Sequence, residues 1–274
     1  GANVELEKCS NLGNVSAFKS DDSLNGTEVG GIVTTLTNGE IIDCFNTGYL
    51  SSDQQVGGIS CSINNVMALN NYNCGKLVNT TYISGGYGVG LCTGISNSYV
   101  INCYNIGEIS AQTFRVSGIV AGVGGINGDL SKKCYIYNCY NLGNISSTSD
   151  TVSGLLADCR YESLTMSNCY NLGSVYGSSK VGGIFGFTHE EYPELQHNIS
   201  NCYNIDTLYF GISLPSNTTV TNTGLINADG TFPNSTPYTD LLTALNAWVN
   251  ANKSTYPELK NWVMGDNGYP TFAN

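Results

Sequence analysis

The side chains best suited to chemistry gather in one short stretch. Thr188–His197 reads T-H-E-E-Y-P-E-L-Q-H and holds both histidines of the chain together with three glutamates. Imidazole beside carboxylate can ligate zinc or another divalent ion, which makes His189, Glu190 and His197 the metal candidates. Their arrangement speaks against the role. The two imidazoles stand eight residues apart, a separation found in no standard zinc motif, and Pro193 breaks any helix that could bring them to one face. The stretch reads as a solvated acidic loop, and no metal or cofactor is expected.

Hydrolytic chemistry on sugars would need two carboxylates about 5–10 Å apart. The 21 acidic residues recur at no fixed repeat position; Asp129, Asp158 and Glu162, in neighbouring repeats, are the set that could converge. A lyase would want Arg or Lys as base, and the chain has two arginines, Arg115 and Arg160. Gly122–Gly128 resembles a nucleotide loop but lacks the Lys-Ser/Thr and the helix that should follow. No G-x-S-x-G elbow is present. The expectation is therefore that the chain is not an enzyme. A row of aromatic residues is the better candidate for binding: Phe45, Tyr72, Tyr104, Tyr140, Tyr170 and Tyr203 occupy equivalent places in successive repeats. Their ring faces could stack on sugars, or the row could simply stabilise the fold.

The element that must position this row is a phrase occurring seven times, a variant of N-C-Y-N-x-G-x-I, with first residues 27 to 36 apart. Spacing of this size signals a stacked architecture. With Cys as position zero, +2 is Asn throughout (Asn11, Asn46, Asn73, Asn105, Asn141, Asn171, Asn204), +6 and −3 are apolar, and +4 is Gly in six copies. A second phrase, V-G-G-I or a relaxed form, lies between most copies. Both are short, β-branched or aromatic, and bounded by Gly, Asn and Ser, which is strand punctuation.

These features predict an all-β chain: a right-handed parallel β-helix (solenoid) of about 6–7 coils, with equivalent residues stacked about 4.8 Å apart. The Asn residues at +2 form a structural hydrogen-bonded ladder, the glycines at +4 take corners with φ > 0, and Cys packs inside with the aromatic row outside. A bend is required between −3 and Cys, because both look like core residues. The repeat should span residues 1–208. Residues 209–274 hold an amphipathic helix opening near Thr236-Pro237 and a hairpin around Asn267-Gly268. They read as a small α+β cap covering the open end of the stack.

Six of eleven cysteines sit at position zero, so they read as core thiols rather than a disulfide framework. A net charge of −11 disfavours nucleic acid and anionic membrane surfaces, and no apolar run is long enough to insert in a membrane. Opening on Gly1-Ala2 and entering a repeat at once, the chain reads as a fragment, monomeric when isolated.

The alternation of V-G-G-I-x-G with I-x-N-C-Y-N-x-G-x-I, clearest at Val181–Gly186 and Asn168–Val175, resembles the GLUG-motif repeats of bacterial cell-surface proteins. The closing Ala244–Val249, Asn261–Val263 and Gly268–Phe272 resemble the ends of such arrays. The resemblance implies an extracellular, cell-surface, adhesin-like module that is non-catalytic and binds a glycan or host protein along the solenoid. The alternatives are a stalk or spacer of a larger surface protein, and a carbohydrate-active β-helix enzyme.

Overall fold

The structure is a computed structural model. It describes residues 3–19, 26–81, 86–124, 129–148, 150–188, 192, 194–206, 210–211, 214, 216–233 and 237–273. The chain winds as a parallel β-solenoid of about six turns. Each full coil contributes to one large sheet and to two smaller six-stranded sheets. Pairing is parallel and in register: Phe45, Tyr72, Tyr104, Tyr140, Tyr170 and Tyr203 are successive Cα partners, and so are Asn46, Asn73, Asn105, Asn141, Asn171 and Asn204.

Two apolar columns fill the interior. The larger combines the cysteines at zero with the −3 residues: Cys44, Cys103, Cys139, Cys169 and Cys202 are fully buried beside Ile41, Val100, Ile136 and Met166. The smaller joins the +6 residues Leu50, Leu77, Ile109 and Ile145 to Val29, Val56, Val116 and Val152 of the second phrase. The bend between −3 and Cys is made by the residue at −1, which is left-handed in every coil: Lys8, Asp43, Asn70, Asn102, Asn138, Asn168 and Asn201 have φ between 52° and 59°. Asn and Asp tolerate this region best, which explains why Asn dominates the position.

The +2 asparagines run through the stack as a ladder. Each donates to the side-chain oxygen of the next at 2.7–2.9 Å, from Asn11 to Asn204. Each also donates to the carbonyl two residues on, as Asn73 does to Gly75. The glycines at +4 are needed for a reason other than the one expected. None has positive φ; instead a Cβ on Gly75 would lie 2.0 Å from the carbonyl oxygen of Gly48 and 2.6 Å from the Asn46 amide. The close approach of stacked backbones fixes the residue type.

Parallel pairing continues beyond Leu208, which itself lies outside the described residues. Thr218–Thr221 and Gly224–Leu225 add a further rung on His197–Asn204. The helix spans Leu241–Asn252 and starts later than expected, because Asp240 caps it by accepting from the Thr243 backbone N–H at 2.8 Å. Trp262–Met264 and Pro270–Phe272 form the antiparallel hairpin. This C-terminal segment lies along the flank of the stack instead of covering its end: Leu241, Leu245, Val249 and Trp262 pack with Tyr137, Tyr140, Tyr170 and Tyr203.

Candidate functional site

The aromatic ladder and the asparagines at −1 run side by side up this flank. The rings are stacked nearly parallel, with centroids 5.0 Å apart for Phe45–Tyr72, 4.9 Å for Tyr72–Tyr104, 4.8 Å for Tyr104–Tyr140 and 5.2 Å for Tyr140–Tyr170. Both faces of Tyr72, Tyr104 and Tyr140 are thus covered by neighbouring rings, and the row presents edges to the flank. Stacking of ring faces on sugars, one of the two roles the sequence leaves open, is blocked at these rungs.

The C-terminal segment divides the ladder in two. Tyr140, Tyr170 and Tyr203 are buried beneath it. Trp262 meets Tyr140 and Tyr170 at tilts of 57° and 53°, an inclined packing that avoids the disfavoured face-to-face sandwich. The Tyr170 hydroxyl donates to the Pro270 carbonyl, and the Tyr140 hydroxyl lies 3.0 Å from Thr271 Oγ1. Burial pushes the Tyr140 phenol up to about 12, so it stays protonated.

Alongside, the −1 residues form a second ladder that the sequence reading did not single out. Asn70 donates to Asp43 at 2.9 Å, Asn102 to Asn70 at 3.0 Å, Asn138 to Asn102 at 2.8 Å, and Asn168 to Asn138 at 2.7 Å. Their remaining amide hydrogens hold the C-terminal segment: Asn102 donates to the Glu258 carbonyl, Asn138 to Lys260, and Asn168 to Leu245, at 2.8–3.1 Å. The recurrence of Asn at −1 was the available signal.

Where the segment ends, a cleft of about 640 Å³ opens. Phe45, Tyr72 and Tyr104, half-buried, form its floor with Asp43, Asn70 and Asn102 beside them. Lys260, Val263, Met264, Asp266 and Phe272 form the facing wall. Half of the aromatic row is therefore open to a ligand, and half serves the fold.

The other candidates fall elsewhere. His189 and Glu190 lie outside the described residues. His197 is turned into the core, where its Nδ1 lies 3.6 Å from Cys159 Sγ and burial pushes its imidazole down to about 4. Asp158 is enclosed by both arginines, with Oδ2 at 2.5 Å from Arg115 Nε and 2.7 Å from Arg160 Nε. Burial outweighs their attraction and raises its carboxyl to about 6. Glu162 is buried separately and accepts from the Asn97 N–H at 2.7 Å and from Ser96 Oγ. Asp129 accepts from Ser131 in an exposed turn. The three carboxylates thus have three separate sets of partners. All eleven cysteines are free thiols.

Fold and flank together define a parallel β-solenoid with a side cleft floored by stacked aromatic edges. Among solved structures, the chain is similar to one described as a putative immunoglobulin A1 protease from Bacteroides ovatus, at 17% identity and a TM-score of 0.52, over 99% of this chain and 86% of the other. No family model and no curated protein matches. At this identity the likeness carries the fold and no activity. It nevertheless corrects the expectation that the chain is not an enzyme: the fold has a described neighbour that is named as one, and a repetitive scaffold is no argument against catalysis. Among the described residues, no helix is long and apolar enough to cross a membrane.

Proposed function

We propose that the chain is a ligand-capturing module of a bacterial cell-surface protein, adhesin-like, that holds an extracellular macromolecule in the cleft at Phe45, Tyr72 and Tyr104. One observation carries this reading. The C-terminal segment buries the ladder from Tyr203 to Tyr140 and only touches the Tyr104 rung, leaving Tyr104, Tyr72 and Phe45 half-buried beside a cleft of about 640 Å³. A stalk would need no such break in its surface. The GLUG-like alternation of the two phrases supports a cell-surface, extracellular setting. The description of the fold neighbour makes an immunoglobulin a reasonable first protein to assay.

The test is binding of the purified chain to arrays of glycans and of immobilised extracellular proteins, immunoglobulins included. Tyr72→Ala combined with Tyr104→Ala, and separately Met264→Arg, should abolish saturable binding. Tyr140 is unsuitable for this purpose because it lies under the C-terminal segment. Binding that survives both changes would move the site away from the cleft, and silence on both arrays would favour the spacer reading.

A further inference from the structure

We propose that the cleft takes an extended polypeptide carrying an aromatic side chain; this rests on the cleft reading above. The molecule already holds a polypeptide on the neighbouring rungs, its own residues 258–262, which leave a turn at Glu258 and enter a strand at Trp262. The carbonyls of Glu258 and Lys260, two residues apart, accept from Asn102 and Asn138 on successive coils at 2.8 and 3.0 Å. The Lys260 N–H donates back to Asn102 Oδ1 at 3.2 Å. Alternate residues of one backbone thus meet successive rungs of the −1 ladder. The aromatic side chain of this segment meets the ladder rings obliquely: Trp262 lies 5.7 Å from Tyr140 and 5.6 Å from Tyr170, tilted by 57° and 53°, and Phe272 on the paired strand lies 6.2 Å from Tyr104, tilted by 53°.

Both ladders run on into the cleft. Asn70 gives one amide hydrogen to Asp43 and accepts from Asn102. Its second amide hydrogen, equivalent to those given to Glu258 and Lys260, has no partner among the described residues. Asp43, at the next rung, offers carboxylate oxygen to a backbone N–H. Tyr72 and Phe45 continue the row of edges. Val263 and Met264, 41% and 55% exposed, supply an apolar wall, and an unbranched thioether adapts readily to an incoming side chain. A backbone laid on Asn70 and Asp43 would drop a ring between Tyr72 and Met264. A pyranose would want an aromatic face, and the faces at Tyr72 and Tyr104 are taken.

The experiment uses fluorescence polarisation with the full chain and acetylated, amidated octapeptide pools. Each pool has a fixed central Trp, Tyr, Phe or Leu and mixed flanking residues. The aromatic pools should bind, with the Leu pool weaker by about five- to tenfold, the value of one aromatic pairing. Asn70→Gly, which accepts the positive φ, should weaken binding about fivefold through one lost hydrogen bond. Met264→Arg, at an exposed position, should abolish it. Circular dichroism matching the unsubstituted chain secures the fold of both variants. Glycan binding that Met264→Arg blocks, without peptide binding, would overturn the peptide inference and leave the cleft standing. The absence of any ligand sensitive to Met264→Arg would overturn both.

Discussion

Replacing Trp262 by alanine should release the C-terminal segment while sparing the solenoid. Trp262 is 2% exposed, and its ring lies 5.7 Å from Tyr140, 5.6 Å from Tyr170 and 4.5 Å from Phe272. Its indole N–H donates to Asn138 Oδ1 at 2.7 Å. Truncation removes on the order of 200 Å² of buried surface, about 5 kcal/mol by area. The hydrogen bond adds about 1 kcal/mol. Relaxation of the flank returns part of this, so the cost should be about 4 kcal/mol, within the range for buried aromatic truncations. Trp262→Phe keeps most of the ring contact and should cost about 1–2 kcal/mol. The assay is urea unfolding followed in parallel by far-ultraviolet circular dichroism, which reports the sheets, and by fluorescence of Trp248, which sits in the segment. In Trp262→Ala the fluorescence transition should move to lower urea, with the dichroism transition left behind. A shift worth less than about 1 kcal/mol, or one coincident transition in which the sheets melt with the segment, would refute the picture of a clamp distinct from the stack.

Asn105→Ala should cost about 3 kcal/mol, because it leaves the Asn73 amide, the Asn141 carbonyl oxygen and the Gly107 carbonyl each one partner short in a fully buried ladder; a urea midpoint close to that of the unsubstituted chain would count against the ladder. His197, held down to about 4 by burial, contributes stability that is present above its unfolded value of 6.5 and lost as pH falls through 4. Asp158, raised to about 6, acts oppositely, its contribution being present in acid and lost as pH rises through 6. His197→Leu should therefore gain about 3 kcal/mol on the unsubstituted chain between pH 6.5 and 4, and parallel melting curves across that range would contradict this. Burial pushes Cys61 up to about 12 and Cys44 up to about 11, so mass spectrometry after brief native alkylation at neutral pH should find label only at the half-buried Cys9 and Cys74, with all eleven labelled after unfolding. Early native labelling of Cys103 or Cys139 would show that the core opens.

The repeated phrase made the stack legible because each position is bound to one physical demand: a small apolar atom at Cys, a ladder-forming amide at +2, no Cβ at +4. The residue type at +4 was readable but its cause was not, since close backbone approach and positive φ select the same amino acid. The left-handed residues at −1 were written in the sequence as recurring Asn, yet a corner and a docking rail look alike there. The amphipathic pattern of Leu241–Val249 announced one buried face, and the open end of the stack was its expected partner. Only the structure shows that the face meets the Tyr row, which turns Tyr140, Tyr170 and Tyr203 from a binding surface into core. His197 misled for a related reason: a chemically versatile side chain in a polar stretch begins a strand whose alternation carries it inward.

The strap along the flank also bears on tension. Coils joined only rung to rung peel singly when pulled from one end, so that few hydrogen bonds resist at any moment. Here the carbonyls of Ala244, Leu245, Glu258 and Lys260 are moored to Asn201, Asn168, Asn102 and Asn138. The strap crosses four coils like a splint, and a load along the axis must shear these moorings together. The coils bearing Asn70 and Asp43 have no such moorings among the described residues. Under traction they should yield first, which would place the cleft at the boundary between a compliant and a stiff part of the stack.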